Sequence, residues 1–177
     1  MLIKGNAVVV EWLQSPIVYA ADAVFRSRML AFAEAWADRE RMASHYLHLS
    51  RRQRAVYLDG QVEVALKNIF YALRPAVALR WMRLHPERRL PPMHFPTLLA
   101  ECDPPAEVAA RCAELLVAKA RTREMGTGAM PAPLLAFMDD ELARAPEVDA
   151  AARPLDPEAV EAADRLYAAV VAGVGGE

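Results

Sequence analysis

Several features that mark common protein classes are absent from this sequence. It contains no run of about eighteen apolar residues, and polar residues interrupt its apolar first segment, so neither a membrane span nor a secretory signal is expected. Its two cysteines, Cys102 and Cys112, stand ten positions apart with no histidine nearby, which fits neither a zinc knuckle nor a disulfide framework. We therefore expect a soluble, cytoplasmic protein whose cysteines are free thiols.

The short motifs of common nucleotide and hydrolase chemistry are also missing. No Gly-rich loop ends in Lys-Ser or Lys-Thr, no Gly-x-Ser-x-Gly turn is present and no Asp-x-Asp pair occurs. Asp139, Asp140 and Glu141 are adjacent on a predicted helix and point in different directions, which favours a solvated acidic face over a two-metal centre. His45 and His48 have a spacing that suits a metal, but no third ligand is near in sequence.

Helical signals dominate the remaining pattern. They predict a mainly α fold, an irregular bundle of six to eight helices joined by Pro-rich loops. Asn6, Asp22 and Asp38 are predicted helix caps, although the three valines after Asn6 fit a strand equally well. Pro75 is predicted to kink or divide a helix over residues 62–84. We expect one helical domain over residues 1–145, on which residues 146–177 pack as a Pro-containing linker, a terminal helix and a frayed tail.

Charge is distributed unevenly along the chain, although the net charge is only −2. Residues 39–89 carry eleven Lys or Arg against four acids, whereas from residue 100 onward seven bases stand against fifteen acids. The basic middle predicts a positive face suited to phosphates or nucleic acid, facing an acidic surface that can screen it. Two solvated helix faces that merely differ in sign fit the same counts.

One side of a predicted helix combines two cations with an aromatic ring. In the segment LKNIFYALRP, Lys67, Tyr71 and Arg74 occupy positions i, i+4 and i+7, which share a helix face. Lysine and arginine attract phosphate oxygens and tyrosine can stack on a base, so the group suits a nucleotide. Long basic side chains that run along apolar surface to water explain the same pattern.

The preceding helix carries a second set of basic side chains on one side. They are Arg41, His45, His48 and Arg52, at positions i, i+4, i+7 and i+11. We interpret this side as a candidate acceptor or nucleic-acid face, basic along its whole length. Any nucleic-acid affinity of such a face is expected to fall steeply with added salt.

Several blocks of the sequence, taken in order, resemble one known family. They are LIKGNAVVVEWLQSPIVY (2–19), HYLHLSRR (45–52), LKNIFYALRPAVALRWM (66–82), PPMHFPTLLA (91–100) and the looser LLVAKARTREMG and PLLAFMDDEL. Together they resemble the C-terminal part of predicted nucleotidyltransferases of the DNA polymerase β superfamily, nearest to the RNA-repair-associated, RlaP-like branch. The block that contains Lys67, Tyr71 and Arg74 is the most distinctive.

The resemblance implies an enzyme that transfers a nucleoside monophosphate from a nucleoside triphosphate (NTP) to an acceptor, using Mg²⁺ held by carboxylates. In the family those carboxylates lie in an N-terminal α/β domain, in a Gly-Ser motif followed by an Asp-x-Asp pair. Neither motif occurs in this chain. We therefore expect no nucleotidyl transfer from this chain alone and assign it no catalytic residue and no metal ligand; Mg²⁺ and NTP are implied for a complete enzyme.

The resemblance also implies site residues and partners. Lys67, Tyr71 and Arg74 match the family block as nucleotide or phosphate contacts, whereas Asn6, Glu11, Ser15 and Tyr19 match the first block without an assigned role. The implied partners are NTP, RNA, and a catalytic domain in trans or a second copy of the chain. A missing catalytic sheet predicts exposed apolar surface around AVVVEWL and SPIVY, and hence dimers or aggregation. The alternative is a non-catalytic helical module that binds RNA or protein through residues 39–89.

Overall fold

A computed structural model describes residues 2–20, 22–121, 126–147 and 153–174. Within these ranges the elements are α1 (Ala7–Gln14), α2 (Ala23–Trp36), α3 (Arg39–Tyr57), β1 (Val64–Ala65), α4 (Leu66–Leu84), α5 (Phe95–Ala100), α6 (Ala106–Arg121), β2 (Thr127–Gly128), α7 (Ala132–Arg144) and α8 (Pro157–Val174). The predicted mainly α bundle of six to eight helices is confirmed. None of these helices is long and apolar enough to cross a membrane.

Three polar side chains begin the first three helices, as the sequence predicts. The Asn6 side chain accepts from the amide of Val8 at 3.1 Å, and the Asp22 carboxylate accepts from Phe25 at 2.8 Å. Asp38 accepts from two amides at the start of α3. These acceptors satisfy amide groups that a helix leaves unpaired at its first turn. The valines after Asn6 are therefore helical, and the strand alternative is wrong.

The central element is α4, which packs mainly against α3 and also against α7 and α5. Eleven of its nineteen residues are buried, among them Ile69, Leu73 and Trp81. Opposite them, Met42 and Tyr46 of α3 are fully buried. A helix buried on most of its circumference takes its stability from packing rather than from intrinsic propensity.

Pro75 lies inside α4, which continues unbroken from Leu66 to Leu84. Of the two predicted outcomes, division of the helix at Pro75 is wrong, and a kink there stays a prediction. Proline removes one backbone hydrogen bond and costs about 3 kcal/mol in a helix interior, and burial of Pro75 and its neighbours offsets that cost. One turn earlier, the Ser50 hydroxyl donates to the carbonyl of Ala72 at 2.9 Å, which adds a buried link between α3 and α4.

A two-stranded sheet, which the sequence pattern did not predict, fixes the start of α4. Val64 pairs with Gly128 and Ala65 with Thr127 in an antiparallel register. The amide of Leu66 then donates to the carbonyl of Gly126 at 3.1 Å. This pairing ties the segment before α7 to the first turn of α4.

The last helix returns to the beginning of the molecule. Helix α8 contacts α2, and Arg153 before it forms an ion pair with Glu40 of α3. Residues 148–152 of the predicted linker and residues 175–177 of the predicted frayed tail lie outside the described residues. The division at residue 145 stays a prediction.

The two cysteines are free and buried in the core. Burial raises the pKa of the Cys102 thiol to about 12 and that of Cys112 to about 11. Thiols with such pKa values carry almost no thiolate at neutral pH and are poor nucleophiles. The predicted free thiols are confirmed, and both side chains act as small apolar groups of the core.

Candidate functional site

The three residues predicted on one side of α4 do lie along one stripe of that helix. The Lys67 side chain is exposed, the Tyr71 side chain is 54% exposed and Arg74 is partly buried. The positions between them, including Ile69, Phe70 and Leu73, point into the core. Lys67 and Tyr71 therefore reach solvent from this core helix, as do Arg83 and Leu84 at its other end.

Tyr71 has an aromatic neighbour that the sequence analysis missed. The ring of Tyr57, at the end of α3, lies 6.2 Å from the ring of Tyr71 between centroids, with an angle of 48° between the ring planes. Such tilted pairs are favourable, and they offer flat apolar surface to a third ring. The two tyrosines are fourteen positions apart on different helices, so no local sequence signal predicts their contact.

Arg74 is held from two sides by its own chain. Its Nη1 donates to Glu11 Oε1 of α1 at 2.5 Å, and its Nε donates to the carbonyl of Met93 at 3.3 Å. Both side chains of the ion pair are only 18% exposed. Arg74 therefore ties α4 to α1 and to the loop after α4. Glu11 matched the first family block without an assigned role, and the structure shows that it binds Arg74.

A buried tyrosine completes this junction of α1, α3 and α4. Burial raises the pKa of the Tyr46 hydroxyl, and the negative charge of the nearby Glu11 carboxylate raises this pKa further. The Tyr46 hydroxyl and Arg74 Nη2 are both buried, and neither meets a partner with hydrogen-bond geometry among the described residues. The Tyr46 hydroxyl thus lies beside the Glu11 carboxylate and the Arg74 guanidinium, and the three polar groups face one another at this junction.

The basic side predicted on α3 is not basic along its whole length. Arg41 is buried at the start of the helix, with its Nε 3.4 Å from Asp38 and its guanidinium donating to the carbonyl of Arg153. His45 is half-buried, and burial lowers its pKa, which favours the neutral imidazole. Only His48 and Arg52 of the four predicted residues are exposed.

Close packing explains why Arg41 is buried. Gly5 has a φ of +72°, and a Cβ atom added to it would lie 2.3 Å from Cβ of Arg41. Only glycine fits there, because it has no Cβ and adopts positive φ without strain. The first turn of the chain therefore covers the start of α3 and removes Arg41 from the surface.

Several arginines of the basic middle form ion pairs with acids of the C-terminal region. Helices α3 and α4 reach α7 and the residues after it through the pairs Arg51–Glu147 at 2.6 Å, Arg54–Asp139, Arg80–Glu141 at 2.9 Å and Arg83–Glu141 at 2.9 Å. The uneven charge predicted either a positive face screened by the chain's own acids or two solvated helix faces that differ in sign. These four arginines fit the first interpretation, because acids of the same chain pair with them.

The three adjacent acids of α7 have three different environments. Asp139 and Asp140 are exposed and pair with different arginines, whereas Glu141 is 3% exposed beneath Arg80 and Arg83. The predicted solvated face is therefore wrong for Glu141. Across the described residues, no three His, Cys, Asp or Glu side chains are grouped in a way that could hold a metal ion.

Most of the sequence also matches a protein family. A profile of the RNA repair pathway DNA polymerase beta family, RlaP, matches residues 1–169. The chain belongs to the RlaP family. The resemblance inferred from the sequence blocks is thereby confirmed.

A curated relative supports this RlaP assignment and shows how much of a longer protein the chain covers. The uncharacterized protein YcgL of Bacillus subtilis (strain 168) is 34% identical to the chain over 146 residues, which are 80% of this chain and 53% of YcgL. The RlaP chain thus spans about half the length of this relative. No solved structure matches this chain.

Proposed function

We propose that this chain is the helical nucleotide- or acceptor-binding portion of an RlaP-family nucleotidyltransferase, an enzyme that moves a nucleoside monophosphate from an NTP to an acceptor. One observation carries the proposal: Lys67 and Tyr71 reach solvent from a helix that is otherwise mostly core. A core helix does not need a lysine and a half-exposed tyrosine on the same stripe for packing. The family match supports a nucleotide as their ligand.

The two side chains supply complementary contacts. Tyr71, next to Tyr57, offers an aromatic surface on which a base can stack, and such stacking is worth about 1–3 kcal/mol per base. Lys67 precedes Tyr71 by one helical turn, so its ammonium group can reach a phosphate of the same ligand. Among the described residues no acid forms an ion pair with Lys67.

Arg74 has a more limited part in this proposal than the sequence alone suggested. Its Nη1 and Nε are occupied by Glu11 and Met93, and its Nη2 is buried out of reach of a ligand. We assign Arg74 to positioning α4 against α1; a direct contact with a bound phosphate or acceptor would require this junction to open.

The described residues do not fit a Mg²⁺ site, because no cluster of three potential ligands occurs among them. The Gly-Ser and Asp-x-Asp motifs implied by the resemblance are missing from the sequence as well. We therefore assign no chemical step to this chain. In the complete enzyme, the metal-binding carboxylates belong to polypeptide outside these 177 residues.

The alternative, a non-catalytic module that binds RNA through residues 39–89, has less support. Arg51, Arg54, Arg80 and Arg83 are engaged by the chain's own acids, and Arg41 is buried. Phosphate contacts by arginine would have to replace these pairs. His48 and Arg52 remain exposed, which is a small surface for a sequence-independent RNA contact.

Titration of the purified chain with a fluorescent ATP analogue tests the proposal. Lys67→Ala and Tyr71→Ala should each weaken binding about tenfold, since each removes a contact worth about 1.4 kcal/mol. Matched controls are Lys4→Ala and Tyr167→Ala, which remove an exposed lysine and an exposed tyrosine from other parts of the molecule. Both controls should bind like the unaltered chain.

Two results would contradict the proposal. The first is saturable binding that Lys67→Ala and Tyr71→Ala leave unchanged. The second is an absence of ATP binding together with RNA binding that weakens steeply between about 50 mM and about 200 mM salt, which is the behaviour of a phosphate-contacting module. The second result would favour the RNA-binding alternative.

A further inference from the structure

A group of exposed apolar side chains lies at the end of α1, in the segment that follows it and at the start of α2. We call it the α1–α2 face, and it consists of Trp12, Ile17, Val18, Tyr19, Val24 and Phe25. Tyr19 is 98% exposed and Trp12 is 74% exposed. Six of the thirteen large apolar side chains exposed in the described part of the chain fall between residues 12 and 25. Scattered exposed apolar residues are normal, but a concentration of this kind marks an interaction site.

The face is concave, and its charged groups already have hydrogen-bond partners within the chain. A groove of about 480 Å³ runs between α1 and α2, and among the described residues that line it only Asp22 and Arg26 are charged. The Asp22 carboxylate caps α2. The Arg26 guanidinium donates to the carbonyls of Leu13 at 2.6 Å and Ser15 at 3.1 Å. With both charges engaged, the groove suits an apolar protein surface rather than a phosphate or a nucleic acid.

Chain length indicates what covers this face. The chain aligns with only 53% of YcgL, so that relative contains about as much polypeptide again outside the match. A polypeptide of that size forms a domain of its own, and adjoining domains bury apolar surface against each other. The α1–α2 face is the largest group of apolar side chains that the described residues offer for such contact.

We infer that the α1–α2 face is the docking surface for a second folded domain, equivalent to the half of YcgL that lies outside the match. The inference concerns a surface distinct from the Lys67 and Tyr71 stripe, and only its functional consequence rests on the proposed function. Trp12 follows directly after Glu11, which binds Arg74. A domain docked on Trp12 therefore contacts the same short helix that positions Arg74, and it lies beside the junction with α4.

Site-specific photocrosslinking tests this inference. Benzoylphenylalanine replaces Tyr19 in the chain produced in its own cells, and it replaces Tyr167, a tyrosine of α8 that is 72% exposed, as the matched control. We expect Tyr19 to crosslink to polypeptide that aligns with the remaining half of YcgL, whether on the same chain or on another. Tyr167 should give no such crosslink. A Tyr19 crosslink to a second copy of residues 1–177, to an unrelated protein or to nothing would overturn the inference.

Solution mass separates a docking domain from a second copy. The purified 177-residue chain, Tyr19→Asp and Tyr167→Asp are compared by sedimentation and by binding of an apolar dye. We expect no defined dimer, and dye binding that Tyr19→Asp lowers and Tyr167→Asp does not. A stable dimer that Tyr19→Asp dissociates would make a second copy the occupant and would refute the inference.

The same variants test this inference separately from the proposed function. Tyr19→Asp should bind the ATP analogue like the unaltered chain, because Tyr19 is not part of the α4 stripe. Failed crosslinking with ATP binding intact would refute the docking surface alone. Correct crosslinking with no effect of Lys67→Ala or Tyr71→Ala on ATP binding would refute the proposed nucleotide site alone.

Discussion

Two regions of this molecule contain residues that suggest an external partner, and only one of the two pairs those residues within the chain. Where α3 and α4 meet α7, the arginines of the basic middle bind acids of the same chain. At the α1–α2 face, the apolar side chains that a fold normally buries remain exposed. The charge pattern thus reflects internal pairing more than it reflects an external ligand. The exposed apolar residues are the stronger indication of a partner.

Glu141 provides the largest test of the charged region. Its carboxylate is 3% exposed and is shared by Arg80 and Arg83. Removal of one member of a buried pair leaves charge uncompensated and typically costs 3–5 kcal/mol. We expect Glu141→Gln to lower the free energy of unfolding in urea by about 3 kcal/mol. Glu114→Gln, which removes an exposed carboxylate paired with Arg111, should change it by less than about 0.5 kcal/mol. Equal effects of the two variants would show that the α4 and α7 pairing is unimportant.

The junction of Glu11 and Arg74 gives an intermediate effect, because it lies between the two regions. Glu11→Gln and Arg74→Met should each cost about 1–2 kcal/mol of unfolding free energy, since the ion pair is mostly shielded from solvent. The double variant should cost less than the sum of the two, with a coupling energy of about 1 kcal/mol. Strict additivity in this double-mutant cycle would mean that the pair contributes nothing to the contact between α1 and α4.

His45 should give the smallest effect, and it appears only as a pH dependence. Burial lowers its pKa below the value of about 6.5 that a histidine has in the unfolded chain. Between these two pKa values the unfolded chain binds more protons, so the free energy of unfolding falls as the pH drops through about 6.5. His45→Gln should flatten this part of the urea stability profile, whereas His94→Gln, at an exposed histidine, should leave it unchanged. A steeper fall in the His45 variant would reverse the assigned direction.

Features determined by neighbouring residues were predictable from the sequence. The caps at Asn6, Asp22 and Asp38 depend on contacts within three positions, and all three were placed correctly. The common stripe of Lys67 and Tyr71 follows from helical periodicity in the same way. The family assignment rested on whole blocks of residues and was equally accessible.

Features determined by distant contacts were not predictable. The partners of Arg51 and Arg80 lie more than sixty positions away, and a count of charges cannot show which residues a fold brings together. Burial of Arg41 depends on the close approach of Gly5, which no local pattern reveals. Division of the helix at Pro75, one of the two outcomes predicted for this proline, does not occur for a related reason, because the packing around α4 outweighs a local preference.

The pairing of β1 with β2 bears on the order in which the chain folds. It joins Val64 to Gly128 and closes a loop of more than sixty residues, whereas the turns of α3 and α4 form from neighbours. Contacts between distant positions carry a loop-closure entropy that slows their formation relative to local helices. The first turn of α4, with Lys67, is therefore expected to become fixed after the middle of that helix. The end of α4 that carries Lys67 would then become ordered after the middle of the helix during folding and would open before it on unfolding.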